Sequence, residues 1–206
     1  MTPRAAYRIE TPRLVLRCYD PADAPGVIAA VTEGLEHLRA WMPWAMDEPT
    51  SVEAKAELLR SFRAKFDTDQ DYAYPIFAAD ETRQVGSTGL HRRQGEGVLE
   101  IGYWIVPGLQ GRGLVTEAAG ALVRVGFEAL GARAIEIRCD PRNERSHAVA
   151  ARLGFTHDAT LRRRDLTPDG GPRDTMVWSL FADEYPGSPA ARAEVRAFDA
   201  LRRRIF

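Results

Sequence analysis

Three glycines, Gly108, Gly111 and Gly113, crowd the stretch VPGLQGRGLVTEA at 106–118. An apolar run, EIGYWIV, precedes them and an Ala/Val/Leu-rich stretch follows. Glycine has more backbone freedom to lose than any other residue, so a cluster at a strand-to-helix junction suits close approach of a ligand to the backbone. Gly111 and Gly113 let N–H groups turn toward an anion, and the following helix adds its positive end. A phosphate is the natural occupant; a tight turn that merely needs positive φ angles is the bland alternative. Two nucleotide loops fail on named residues. A dinucleotide fingerprint that starts at Gly111 needs a glycine where Thr116 stands, and GLQGRGLV has no lysine for a Walker loop.

Other residues could also do chemistry. Strand alternation puts Glu100, Gly102 and Trp104 on one face. His91 closes the preceding strand, as a competing base or a structural histidine. Ser146 lies one helical turn beyond Asn143, on the same helix face. Asn143 also suits the N-cap of that helix. Trp41, Pro43 and Trp44 form an aromatic cluster in a link, either packing between helices or bordering a cleft; Tyr72 and Tyr74 are weaker candidates. Cys139 follows an apolar strand pattern and reads as a buried small residue, with no base of its own, so no acyl-cysteine is expected.

The elements that must position these residues follow from the pattern. Strands are predicted at 13–19, 72–79, 84–92, 97–106, 133–140, 156–166 and 173–181. A helix follows Asp20 and Pro21, which suit its cap and first turn, and a second starts at Ser51. The apolar spacing of Leu114, Ala118, Leu122, Val125 and Leu130 predicts a helix over 114–130, ended by Gly131. A short helix over 143–155 closes at Gly154. Val195, Phe198, Leu201 and Ile205 fall at helical spacing, which predicts a C-terminal helix over 189–203 that packs on its own domain or on a second subunit. The order predicts an α+β (mixed α/β) chain with a mostly antiparallel sheet of about six to seven strands and flanking helices. Within it, 97–140 forms a parallel strand–helix–strand crossover. One domain over 1–206 is expected, with 187–206 as a helical extension.

Composition narrows the class. The chain has 206 residues, 45% of them hydrophobic and 28% charged, with a formal net charge of −1. That balance suits a globular protein and advertises neither nucleic acid nor an anionic membrane as partner. Basic runs such as LRRRD at 161–165 and LRRRI at 201–205 read as solvated faces. Two distant cysteines, Cys18 and Cys139, make neither a disulfide framework nor a metal spacing; reduced thiols and no bound metal are expected. The start MTPRAAYRIETPR lacks the apolar core of a signal peptide, so the expected location is cytoplasmic.

With these readings in place, QGRGLV resembles the pyrophosphate loop of the GCN5-related N-acetyltransferases (GNATs), which reads Gln/Arg, two residues, Gly, one residue, Gly/Ala. Gln110 and Gly113 match; Val115 stands where Gly or Ala is usual. ETPRLVLR (10–17), LRAWMPW (38–44), GSTGLH (86–91), EIGYWIVPGLQGRGLVTEA (100–118) and NERSHAVAARLGF (143–155) together resemble the RimJ/RimL branch, which acetylates protein N-terminal amines. The resemblance covers about 8–182. It implies the GNAT fold, with a splayed parallel strand pair at the donor site, and acetyl transfer from acetyl-CoA to an amine. It implies Trp104, Ile105 and Val106 beside the pantetheine arm. Gln110, Gly111, Arg112, Gly113, Leu114 and Val115 would lie around the pyrophosphate, and Asn143 on the pantetheine. Many relatives in other branches place a Tyr seven residues after that Asn as proton donor to the thiolate, where this chain has Ala150. Ser146, at a branch position, is then expected to bond the CoA sulfur. Glu100 would take the amine proton through a water. Trp41, Trp44 and His91 would border the acceptor. The leading acceptor is a protein or peptide N-terminus. The alternatives are a small amine or antibiotic, a succinyl-CoA-type donor, and a non-catalytic acyl-CoA-binding module. A monomer and a homodimer both fit.

Overall fold

In the computed structural model the strands are β1 (Arg8–Glu10), β2 (Leu14–Arg17), β3 (Asp71–Ala78), β4 (Gln84–His91), β5 (Val98–Ile105), β6 (Ala134–Cys139), β7 (Thr156–Leu166), β8 (Pro172–Phe181) and β9 (Arg196–Phe198). The structure describes residues 5–206; the first four residues of the expected 1–206 domain lie outside the described residues. The strands form one sheet in the order β7-β8-β6-β5-β4-β3-β2-β1-β9. Among the described residues only β5 and β6 run parallel; every other neighbouring pair is antiparallel. The seven expected strands are all present. The two additions, β1 and β9, have three residues each, too few to print a period-two pattern.

Four helices flank the sheet: α1 (Ala24–Arg39), α2 (Val52–Asp67), α3 (Leu114–Arg124) and α4 (Glu144–Leu153). Asp20 makes a capping box with Asp23 ahead of α1, and the Ser51 hydroxyl accepts from the Ala54 N–H at 3.1 Å to start α2. Helices α1 and α2 bury Val27, Val31, Leu38 and Leu59 in one cluster with Ala73 of β3, and Trp104 of β5 packs against it. Helix α3 lies in the larger cluster with Leu90, Leu99, Ile101 and Ile135. It continues as a π turn over Val125–Ala129, where Gly126 lets Ile135 come close: a Cβ there would meet Ile135 Cδ1 at 2.6 Å. Gly131 (φ +66°) ends it and Gly154 (φ +87°) ends α4.

The link from α1 to α2 is held from inside. Lys55 Nζ bonds Glu48 Oε1, with both side chains buried. The Glu48 carbonyl accepts from Arg39 at 2.6 Å, and its second carboxylate oxygen accepts from the Thr50 N–H at 3.0 Å.

The expected C-terminal helix is not formed. Residues Pro189–Arg192 make a short 3-10 turn, and Arg196–Phe198 then pairs antiparallel with β1. Asp199 turns the chain back by accepting from the N–H groups of Leu201 and Arg203, both at 2.9 Å. Two facts defeat the helical spacing. Val195 and Ala197 are buried by alternation, whereas Leu201, which should complete an apolar stripe, is 70% exposed. The open edge of β1 also gives these backbone groups a ladder, where a helix of this length has only its own bonds. No helix among the described residues is long and apolar enough to cross a membrane.

Candidate active site

The glycine loop joins the end of β5 to α3. Gly111 and Gly113 sit at φ +73° and +75°, the left-handed region that glycine enters freely. Gly113 caps α3 without a side-chain bond, and the Glu117 N–H donates to the Gly113 carbonyl at 3.0 Å. The amides before Glu117 therefore open the helix and point toward an incoming anion. A Cβ at Gly111 would meet nothing within 4 Å, so the loop borders open space. Val115, the departure from the resembling motif, packs its half-buried side chain against the main core and leaves its backbone at the helix start.

Side chains of His37, Arg145, Arg13 and Thr11 fix this loop. Gln110 Nε2 lies 2.8 Å from His37 Nε2 of α1, and Arg145 of α4 donates to Gln110 Oε1. Burial first, then the Arg145 charge, holds the His37 imidazole below its usual range, which keeps it a neutral acceptor for the Gln110 amide. Arg13 donates to the Arg112 carbonyl at 2.9 Å and pairs with Glu117 at 2.6 Å. Thr11 adds a 2.6 Å bond to the same carboxylate. The segment ETPR thus ties the β1–β2 turn to the first turn of α3.

Pairing between β5 and β6 runs from Val98↔Ala134 to Ile101↔Ile137 and stops, although both strands continue. Residues 102–105 of β5 thereby face a splay. Ile105 and Val106 bury their side chains in the core, so at this edge they offer backbone alone. Across the opening stands α4. Asn143 caps it, its Oδ1 accepting from the Ser146 N–H at 3.1 Å. The Ser146 hydroxyl lies 3.1 Å from the Tyr103 hydroxyl, which also donates to the Ser146 carbonyl at 3.0 Å. Burial pushes the Tyr103 phenol well above its ordinary range, so it stays protonated. Tyr103 was not singled out from the sequence; its signal was alternation, which sets it opposite Glu100, Gly102 and Trp104 on β5. Cys139 is buried, and that burial raises its thiol.

On the other sheet face, register lines up four titratable residues. Asp71 faces His91, His91 faces Glu100, and Glu100 faces Glu136, across β3, β4, β5 and β6. His91 Nδ1 lies 2.9 and 3.0 Å from the two Asp71 oxygens. Glu100 accepts from Gln94 at 2.5 Å and lies 3.7 Å from Arg93 Nε. Glu136 pairs with Arg138 at 2.8 Å. Next in the ladder, Gly89 faces Gly102 and Ser87 faces Trp104. The Trp104 ring lies 6.2 Å from Trp44, which is 40% exposed. The structure thus brings Trp104, His91 and Glu100 to one sheet face, with Trp44 beside Trp104. Trp41 sits apart from that pair, in the turn closing α1.

Comparisons with known proteins agree with this fold. A model of the acetyltransferase (GNAT) domain matches residues 13–156. The chain is 27% identical over 187 residues to the [Ribosomal protein uS5]-alanine N-acetyltransferase of Escherichia coli K12, covering 87% of this chain and 94% of that protein. It is 24% identical over 133 residues to the ribosomal-protein-serine acetyltransferase of the same organism, covering 64% and 74%. Among solved structures, Mycobacterium smegmatis RimJ in complex with CoA-disulfide superposes with a TM-score of 0.79 at 25% identity, over 93% of each chain. A RimL structure, a ribosomal L7/L12 alpha-N-protein acetyltransferase in complex with coenzyme A, shares the fold at a TM-score of 0.77 and 22% identity, over 84% and 97%. The family match spans well over half of the sequence, and the chain belongs to the GNAT acetyltransferases, enzymes that draw their acetyl group from acetyl-CoA.

Proposed function

We propose that this enzyme acetylates the N-terminal α-amine of a protein or peptide, by direct attack of the amine in a ternary complex. The observation that carries the reading is the Asp71–His91–Glu100 row beside the splayed edge of β5, which we take as the acceptor slot. Acetyl-CoA supplies the acetyl thioester. The amides of Gly111–Val115 suit its pyrophosphate, with Arg112 and Arg145 as nearby cations, and the backbone edge at 102–106 suits its extended arm. Asn143 shapes the mouth of α4 and sets Ser146 in place.

Ser146, backed by the Tyr103 hydroxyl, is the group for the departing sulfur. It fills the role that a helix tyrosine would hold at position 150, where this chain has alanine. On the acceptor side, Glu100 and His91 form the polar end of the slot and Trp44 and Trp104 its apolar wall. An α-amine has a pKa of ~7.7–8.0, against ~10.4 for lysine. An α-amine therefore needs only a weak base to attack at neutral pH, which suits a carboxylate and an imidazole better than a lysine acceptor would. The E. coli relatives, a [Ribosomal protein uS5]-alanine N-acetyltransferase and a ribosomal-protein-serine acetyltransferase, support the same class of acceptor and a cytoplasmic setting.

The test is thiol release over a panel: peptides with free and blocked N-termini, lysine-bearing peptides and small amines, each with acetyl-CoA and succinyl-CoA. Release that depends on a free N-terminal amine and on acetyl-CoA is the expected result. Turnover of small amines alone, or donor binding with no acceptor-dependent release, overturns the reading.

A further inference from the structure

Resting on that reading, we propose that Asp71 is a positioning residue that holds His91 as the proton acceptor for the incoming amine. An ionised carboxylate only accepts hydrogen bonds. Both Asp71 oxygens lie within 3.0 Å of His91 Nδ1. Nδ1 therefore carries the proton, and the lone pair belongs to Nε2. The same logic orients the histidine of a Ser-His-Asp triad.

The lone pair is aimed by the sheet. Gly89 and Gly102 are cross-strand partners, so a gap with no side chains lies beside the Trp104 wall. The imidazole occupies it. A Cβ at Gly89 would stand 2.7 Å from both Cε1 and Nε2, and a Cβ at Gly102 would stand 3.4 Å from Nε2. Gly102 is the first residue of the splayed edge, so Nε2 lies over the point where the strands part. Glu100 is the other partner of His91, but its carboxylate is engaged by Gln94 and Arg93.

The step balances without further reagents. The amine nitrogen forms a bond to the acetyl carbon, and its proton passes to His91 Nε2. The electron pair of the broken C–S bond leaves on sulfur, which gains a proton from solvent through the Ser146 hydroxyl. The imidazolium returns its proton to water.

The experiment joins two readouts on the full chain. Two-bond nitrogen–proton NMR of the histidines assigns the His91 tautomer, and thiol release measures kcat and KM with a free-amine peptide. The wild type should show the Nδ1–H tautomer. Asp71→Asn should lose that fixed tautomer and lower kcat on the order of 10²-fold, within the range of general base catalysis, with KM for acetyl-CoA unchanged. Asp71→Glu should recover part of the rate. His91→Gln should cost at least as much, and adding Asp71→Asn to it should cost nothing more. An Nε2–H tautomer in the wild type overturns the proposal, as does an unchanged kcat in Asp71→Asn or an additive double variant. If no free amine is turned over at all, the acceptor reading fails; the tautomer still decides the Asp71–His91 assignment.

Discussion

Gly89→Ala puts the gap under the His91 ring to a direct trial. The new Cβ would stand 2.7 Å from ring atoms Cε1 and Nε2, and 2.9 Å from the Tyr72 carbonyl oxygen. Carbon contacts settle at about 3.5–4.0 Å, so the ring must shift by roughly 1 Å. Asp71 holds the far side of that ring at 2.9 and 3.0 Å, and a shift of this size carries Nδ1 out of hydrogen-bond range or swings Nε2 off the splay. A misplacement of about 1 Å at a reacting group costs on the order of 10²-fold, or about 2.7 kcal/mol of activation free energy. The assay is kcat for thiol release at saturating acetyl-CoA and peptide, with Tm and acetyl-CoA affinity measured alongside. Crowding of the Tyr72 carbonyl should lower Tm modestly; donor affinity should hold. Gly102→Ala is the comparison for the ring: its Cβ would meet Nε2 at 3.4 Å and Cδ2 at 3.6 Å, ordinary contact, and the Asp71–His91 bond should survive in the tautomer spectrum. In a His91→Ala background there is no ring to displace, so Gly89→Ala should cost little more in kcat. A folded Gly89→Ala with kcat within about twofold of wild type, or an equal loss in both backgrounds, refutes the reasoning.

Two other outcomes follow from contacts already described. Lys55→Met leaves the Glu48 carboxylate buried without its partner, which should cost about 3–5 kcal/mol and lower Tm by roughly 6–20 °C; Glu48→Gln with Lys55→Met should recover most of it in a thermal melt. Ser146→Ala should lower kcat with the peptide acceptor by about 10- to 100-fold, and Tyr103→Phe by less, since it removes only the group that orients the serine. A Tyr103→Phe effect as large as that of Ser146→Ala, in steady-state kinetics, would instead place the phenol itself at the sulfur.

The glycine loop and the α4 cap were legible in the sequence because glycine at a positive φ leaves a residue-level mark. Gly111 and Gly113 were read as an opened backbone at a helix start, and both take that conformation. Asn143 declared its cap by residue type and position, and it does cap α4. The acceptor side was less visible. Asp71 is twenty residues from His91, and only the β3–β4 register makes them neighbours. Tyr103 is likewise linked to Ser146 by the approach of α4 to β5, which no local pattern encodes. The C-terminal segment misled for a further reason. Its apolar residues fit two periods at once, and the choice fell to a distant strand edge at Arg8–Glu10. Local spacing says which faces a segment can bury; it does not say which partner will be waiting.

The splay between β5 and β6 has a consequence for the whole sheet. Past Ile101 and Ile137 the ladder is cut in mid-sheet, and no residue of β6 pairs with positions 102–105 of β5. In the proposed site, an extended donor arm lying there would take the place of the missing rungs, as a strand would. Loading acetyl-CoA and closing the sheet then become one equilibrium. A donor concentration a hundredfold above Kd adds about 2.7 kcal/mol to the free energy of unfolding. Donor supply would then register in the stability of this protein as well as in its rate.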